Sequence, residues 1–497
     1  MSLPGNTLND PPLKTGLFGL FSTPTRFLTA MAVYFALHIG IRTVMGGAAN
    51  LDESEQLLLG QRVALGYGPQ PPLYTWLQIG VFSAAGTTIF ALALLKNVLL
   101  FCSYSLAYFN GRLISGRHWV GVIAALSLFF IPQVAWESQR DLTHSVLAAT
   151  LSLATLYAFL KACSTGRSSW YLLLGAALGC GMLAKYNYAL WAAGLLVAGI
   201  WLPVFRKHVL CPKMAMAAAL AAIIVVPHVC WAVTNSDLAM ASSSKLALDQ
   251  SGNWFATRAF GLGRMLFAAG AFILPLVAVY GISVAVGRKE AGDWSAPPES
   301  RLIGRALAVI GVLLVFAILA FGATGFKDRW FQPLLVCVPV AAATSLALFI
   351  NSRGIQFLQG CAVAVMVVVA MLIPGKVLFA SLTGREERLN LPYTELSRQL
   401  ASSVKPGTLL VADSQLLGGN LRLAFPGNAV EVIGKTAPAG GEWMLVWDAR
   451  KRMSPPAIAG GWLGKEKLET RFLEAHWRNQ PDKTFRIGVI SSKGAGA

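Results

Sequence analysis

Uncharged, apolar stretches of about 20 residues recur through the first three quarters of this chain. That repetition constrains the fold more than any other feature, because about 20 apolar residues are what one helix needs to cross a bilayer. Spans are expected at about Phe27–Gly46, Thr88–Asn110, Trp119–Trp136, Leu142–Leu160, Trp170–Ala184, Tyr188–Phe205, Met214–Val233, Met265–Val286, Ile303–Gly322, Trp330–Ile350 and Phe357–Ala380. Composition agrees: 13% of residues are charged and 55% hydrophobic, where soluble domains carry about 25% charged residues. The chain therefore reads as an α-helical polytopic membrane protein with about 11 transmembrane helices.

A formal net charge of +18 would suggest nucleic acid in a soluble protein. Here the basic residues fall in short loops between spans, where positive charge fixes orientation. With the tail 1–26, carrying Lys14 and Arg26, placed in the cytoplasm, each loop on that side is basic. These loops hold Arg112 and Arg117, Lys161 and Arg167, Arg206, Lys207 and Lys213, Arg288, Lys289 and Arg301, and Arg353. The opposite loops gather mixed charges: Asp52, Glu53 and Glu55, then Glu137, Arg140 and Asp141, then Lys185, then Lys327, Asp328 and Arg329. Leu73–Phe82, broken at its start by Pro71 and Pro72, is too short for a full span and reads as an interfacial or re-entrant piece. Counting it as a span would invert every later loop. Glu53–Leu65 reads as a short helix on the membrane surface. The first span lacks a small-residue cleavage site and reads as retained.

Residues 381–497 are more polar. Thr408–Ala412, Trp443–Trp447 and Phe485–Ile490 read as strands and Tyr393–Val404 as a helix, giving a small C-terminal α/β domain. An odd number of spans places it outside, on the side of the acidic loop. The expected organisation is a cytoplasmic tail (1–26), a membrane domain (27–380) and an extracytoplasmic domain (381–497). Gly440-Gly441 and Gly460-Gly461 read as turns, and Lys493–Ala497 as a disordered tail. The seven cysteines contain no CxxC pair, so neither a zinc site nor a disulfide framework is supported. No Walker A, GxGxxG or GxSxG motif stands in a strand–helix setting, and nucleic-acid binding is not expected.

Three groups on the mixed-charge side could carry chemistry. Asp52, Glu53 and Glu55 lie at an apolar boundary, where a carboxylate without a compensating cation holds its proton more tightly and suits general-base work. The same oxygens could hold a divalent cation, or Asp52 could simply cap a helix. Glu137, Arg140, Asp141 and His144 flank a span junction; Asp141, His144 and Ser145 have helical spacing, and an Arg140–acid pair sealing the turn is the plainer alternative. Lys185, Lys327 and Arg329 beside apolar walls suit a lipid phosphate, or snorkel to the interface. No metal-ligand spacing occurs and no cofactor is demanded.

The order of these pieces is similar to that of the GT-C glycosyltransferases of the ArnT-like, family 39 type. The matching residues are Asp52-Glu53 after the first span, Pro71-Pro72-Leu73-Tyr74-Thr75-Trp76, Arg140-Asp141-Leu142, Ala184-Lys185, and Lys327-Asp328-Arg329-Trp330-Phe331-Gln332-Pro333. The resemblance implies transfer of a sugar from a polyprenyl phosphate on the outer face of the bacterial inner membrane. The acceptor would be lipid A, lipopolysaccharide core oligosaccharide or another envelope component. By that analogy Asp52 is the catalytic acid/base with Glu53 beside it, and Asp141 binds sugar or orients the acceptor. Lys185, Lys327 and Arg329 hold the donor phosphate, with Glu137, His144 and Tyr74 among the substrate-binding residues. Where some ArnT-like members have a lysine before Pro-Pro-Leu-Tyr, this chain has Gln70, which resembles the rhizobial lipopolysaccharide galacturonosyltransferase branch. That variant implies a uronic acid donor whose carboxylate meets a cation such as Arg140. A transporter or flippase for a polar lipid is the rival class, and it predicts charges deep within spans and paired repeats. Here the charges gather at one face, with Lys96 the exception.

Overall fold

The computed structural model describes residues 16–241, 247, 253–288, 296–346, 349–384, 386–434, 441–459 and 469–492. Lys14, Lys289, Gly440, Gly460, Gly461 and the expected tail Lys493–Ala497 lie outside these residues. The helices are α1 (Pro24–Met45), α2 (Leu51–Leu59), α3 (Leu73–Ala85), α4 (Ile89–Ser115), α5 (His118–Leu126), α6 (Thr143–Thr165), α7 (Ser168–Ala184) and α8 (Tyr188–Trp201). There follow α9 (Pro203–Val209), α10 (Pro212–Thr234), α11 (Trp254–Val286), α12 (Pro298–Phe321), α13 (Val338–Leu346), α14 (Ser352–Leu378), α15 (Tyr393–Ala401) and α16 (Gln415–Ala424).

Among the described residues, α1, α4, α6, α10, α11, α12 and α14 are long and apolar enough to cross a membrane. The total reaches nine if two bent pairs each count as one span, against the eleven expected. The shortfall has local causes. The Trp119–Trp136 stretch bends by 79° around Ile131-Pro132, and the Tyr188–Phe205 stretch turns by 115° at Leu202-Pro203. α7 has only 17 residues. Trp330–Ile350 splits into a 3-10 turn (Asp328–Phe331), a short turn (Gln332–Leu335) and α13. Pro132, Pro203, Pro333 and Pro339 stand at these breaks, where the missing N–H and the ring disfavour a continuous helix. Leu73–Phe82 falls in α3, a helix of 13 residues.

The chain divides into two compact units. The first holds Met1–Ala36, Ala64–Tyr74 and Asn97–Val369. In it α6 packs on α7, α7 on α10 and α8 on α12.

The second unit holds Leu37–Val63, Thr75–Lys96 and Ala370–Ala497. Its sheet has the order β2-β1-β3-β5-β4, with β1 (Leu409–Ala412), β2 (Val430–Val432), β3 (Trp443–Asp448), β4 (Arg471–Trp477) and β5 (Gln480–Ser491). β1 runs parallel to β2 and β3, pairing Leu410 with Val430 and with Met444; β3–β5 and β4–β5 are antiparallel. Period-two alternation sorts the strands into two faces. Leu410, Ala412, Met444, Val446, Ile487 and Val489 pack against α15 and α16, together with Ala48 and Leu58 from the α2 region. Val411, Leu445, Trp447 and Ile490 form the opposite face. The acidic helix α2 is thus built into the same core as the C-terminal sheet.

Candidate active site

In the second unit, α2 begins at Asn50, whose residue closes a capping box with Glu53. Asp52, for which capping is one alternative, lies within the first turn. Glu53 is almost wholly buried, at 1% exposure. Its Oε2 accepts from the Asn50 backbone N–H at 2.9 Å and from Arg42 Nη2 at 2.5 Å. Its Oε1 accepts from Arg42 Nε at 3.0 Å, and Lys96 Nζ stands 3.9 Å away. Arg42 Nη2 also donates to the Ala48 carbonyl at 2.9 Å. Burial alone would raise the Glu53 pKa, but Arg42, Lys96 and the hydrogen bonds overcome it and hold the carboxyl at about 2. Glu53 is therefore a permanent anion with little capacity to take a proton, and its geometry suits fixing α2. Asp52 and Glu55 are half-buried on the same helix.

The rest of α2 is held as firmly. Thr75 donates its hydroxyl to Gln56 Oε1 at 2.9 Å. Leu57 packs with Ala49, Ile89 and Leu92. On α16, Gly419 sits so close that a Cβ there would fall 2.3 Å from Ser54 Cα. Asn420 Oδ1 accepts from the Ala49 N–H at 2.8 Å, and its Nδ2 donates to the Ala49 carbonyl at 3.2 Å. Gln61 donates to the Val430 carbonyl at 2.8 Å and accepts from the Val430 N–H at 2.9 Å.

The first unit carries the remaining candidates. After Pro132 the backbone forms a π-helical turn over Gln133–Glu137, then one short turn to Arg140. Asp141 is extended (φ −146°, ψ −147°) and Leu142 is left-handed (φ 70°, ψ 38°). Such a conformation costs a non-glycine residue about 1–2 kcal/mol, and α6 starts only at Thr143. The helical spacing expected to align Asp141 with His144 and Ser145 is therefore interrupted, because Asp141 stands outside the helix. Arg140 bridges Glu137 at 2.8 Å and Asp141 at 3.6 Å. The His144 ring lies 5.5 Å from that of Tyr74, which is buried. Gln70 is half-buried in the loop after Gly68, whose φ of +134° is open to glycine.

Lys185, extended at the end of α7, donates to Ser145 Oγ at 2.7 Å. Asn187 donates to the Trp330 carbonyl at 2.7 Å, Gln133 Nε2 to Asp328 Oδ2 at 2.8 Å, and Gln332 Nε2 to Ser138 Oγ at 2.9 Å. These bonds join Lys185 and the Lys327–Gln332 segment to the Glu137–Ser145 cluster, with Lys327 and Arg329 exposed. Among the described residues, no group of three or more His, Cys, Asp and Glu side chains is placed to hold a metal ion. Sequence reasoning missed Arg42 as the partner of Glu53, and left Lys96 as an unexplained exception. A lone lysine inside an apolar span was the available signal, since such a charge is paired or functional. Gln133, Asn187 and Asn420 gave no signal of their own.

Residues 69–231 match the family described as Dolichyl-phosphate-mannose-protein mannosyltransferase. The chain is 35% identical to the lipopolysaccharide core galacturonosyltransferase RgtB of Rhizobium johnstonii, over 80% of this chain and 81% of that one. It is 32% identical to the galacturonosyltransferase RgtA of the same organism, over 85% and 86%. The fold is similar to the crystal structure of ArnT from Cupriavidus metallidurans bound to undecaprenyl phosphate, with a TM-score of 0.60 at 16% identity, covering 96% of this chain and 100% of that one. Sequence identity along four fifths of the chain and a common fold agree with the motif order read from the residues, so the chain belongs to the ArnT-like GT-C glycosyltransferases, as a multi-pass membrane enzyme.

Proposed function

We propose that this enzyme transfers a uronic acid, galacturonic acid first among candidates, from a polyprenyl phosphate to a sugar of the lipopolysaccharide core. Transfer takes place at the periplasmic face of the inner membrane. The observation that carries the chemistry is the buried Arg42–Glu53–Lys96 group: it fixes α2 and takes up Glu53, while Asp52 stands half-buried one residue away. The relation to two core galacturonosyltransferases supports the sugar and the acceptor, and Gln70 in the loop before Tyr74 agrees with that branch.

The reaction is one in-line displacement with inversion. Asp52 takes the proton of the acceptor hydroxyl, whose oxygen forms a bond to the anomeric carbon. The bond from that carbon to the phosphate oxygen breaks, and polyprenyl phosphate leaves with the electron pair. Lys185, Lys327 and Arg329 stabilise the charge growing on the phosphate. Arg140 meets the uronic carboxylate with a charge-assisted hydrogen bond. Asp141 binds sugar hydroxyls, with Gln70, Tyr74, Glu137 and His144 shaping the donor seat.

The test is Asp52→Asn in proteoliposomes supplied with radiolabelled polyprenyl-phosphate galacturonic acid and core acceptor. A fall in kcat of about 10²–10⁴-fold is expected, with unchanged protein abundance and melting temperature. Near-normal transfer would remove Asp52 from the reaction.

A further inference from the structure

The second unit contains a cavity of about 370 Å³ that none of the roles above uses. It is lined by Gly47, Tyr393, Ser397, Arg398, Asn420 and Phe425, among others. We propose that this cavity is an acceptor subsite that seats one acidic sugar of the acceptor glycan, a proposal that rests on the transferase reading above.

Three observations lead there. The first is size: small-molecule sites span roughly 300–1,000 Å³. The second is chemistry. Phe425 gives an aromatic wall for the C–H face of a sugar ring, Ser397 gives a hydroxyl partner, and Arg398 stands exposed at the rim. Arg398 Nη1 donates to Glu395 at 2.7 Å. That bond steadies the side chain while the guanidinium fork keeps further N–H donors of the kind that match a carboxylate.

The third is position, and it carries the most weight. Gly47 belongs to the loop between α1 and α2, five residues before Asp52. Asn420 lines the cavity and also bonds both the N–H and the carbonyl of Ala49. A sugar in this cavity therefore touches the segments that set the start of α2. A general base works only when it and the attacking hydroxyl are held in register. Seating the acceptor on the frame that carries Asp52 supplies such a register.

Two variants test the proposal in the intact, purified enzyme. Ala401→Trp, at an exposed lining position, fills the cavity with bulk; Arg398→Gln, on the exposed face of α15, removes the charge. Each is expected to raise the acceptor KM by about tenfold and leave the donor KM unchanged, with Arg398→Lys recovering part of the loss. Calorimetric binding of delipidated core oligosaccharide, without donor, should weaken in step, and a neutral oligosaccharide should bind poorly to every form. Unchanged acceptor KM and unchanged oligosaccharide affinity in both variants would overturn the subsite, even if the wild type transfers normally. Equal binding of neutral and acidic glycans would overturn the acidic specificity. If the wild type transfers nothing from a polyprenyl phosphate donor yet loses oligosaccharide binding on Ala401→Trp, the sugar subsite stands and the transferase reading falls.

Discussion

Glu53 and Glu137 each hold an arginine in a bridge below 3 Å, yet the two pairs occupy opposite environments. The Arg42 and Glu53 side chains are 4% and 2% exposed, and Lys96 beside them is 2% exposed. The Arg140 and Glu137 side chains are 45% and 29% exposed. Taking charges out of water costs several kcal/mol per ion. The buried group offsets this through the two Arg42–Glu53 hydrogen bonds, the Asn50 N–H and the nearby Lys96 charge, while Arg42 Nη1 and Lys96 Nζ themselves make no hydrogen bond among the described residues. The open pair lost little solvation and gains little from its bridge. Burial thus makes an ion pair a fixture, whereas exposure leaves it able to exchange its partner for a ligand's carboxylate or phosphate. On α2, Glu53 is buried and engaged on both oxygens, and its neighbour Asp52 is half-buried.

The largest effect should come from breaking the fixture. Arg42→Ala strands Glu53 in an apolar site, and the expected loss is about 3–5 kcal/mol of stability, read as a fall in melting temperature in detergent. Replacing the whole group at once sharpens the point. Arg42→Met, Glu53→Leu and Lys96→Met together should be near neutral for folding, since an apolar set of similar volume carries no desolvation cost. If the group serves only to place α2, this triple variant keeps most of its transfer activity. A folded but inactive triple variant would show that Glu53 takes part in the chemistry.

The same carboxylate gives a pH signature. Its folded pKa of about 2 lies below the ordinary value of 4.5. Its contribution, roughly 3 kcal/mol, is therefore fully present above about pH 4.5 and is lost as pH falls toward 2. Thermal melts across that window should steepen for the wild type and flatten for Glu53→Gln. From pH 5 to 8, Glu53 contributes no titration to the transfer rate, so a step in kcat there belongs to another group.

How much of this was legible beforehand depends on how far each feature rests on local sequence. Apolar length gave the long helices, because crossing a bilayer needs only composition. Proline breaks within apolar runs were underweighted, so Trp119–Trp136 and Trp330–Ile350 read as single spans. Strands β1, β3 and β5 are apolar and were visible, while β2 has three residues and β4 alternates Arg471, Glu474 and His476 with apolar positions. The acids of α2 were visible as charges at an apolar boundary. The partners of Glu53 were not, because Arg42 and Lys96 come from two separate helices that meet around it only in the folded chain. The left-handed Leu142, which takes Asp141 off the helix, has no sequence signature at all.

A smaller effect is expected where α16 crosses α2. Gly419 permits the approach to Ser54, and Gly419→Val must push the helices apart. Overpacking of this kind costs about 1–3 kcal/mol. If Asp52 is the general base, a shift of α2 should lower kcat more than it changes the donor KM. Equal loss of both would mean that the substitution damages the fold generally.

The smallest effect on stability, and the most direct probe of the open pair, is Arg140→Ala. With Arg140 45% exposed, the bridges to Glu137 and Asp141 should contribute less than about 1 kcal/mol, and the melting temperature should hardly move. The donor KM should behave differently. If the guanidinium trades Glu137 for the carboxylate of a uronic acid, its loss weakens binding of that donor by about tenfold. A neutral hexose on the same polyprenyl phosphate should be indifferent to the change. Arg140→Lys keeps the charge but not the planar fork, and should fall between the two. Equal effects on acidic and neutral donors would show that Arg140 only seals the turn before the strained Leu142, and would make the open pair as structural as the buried one.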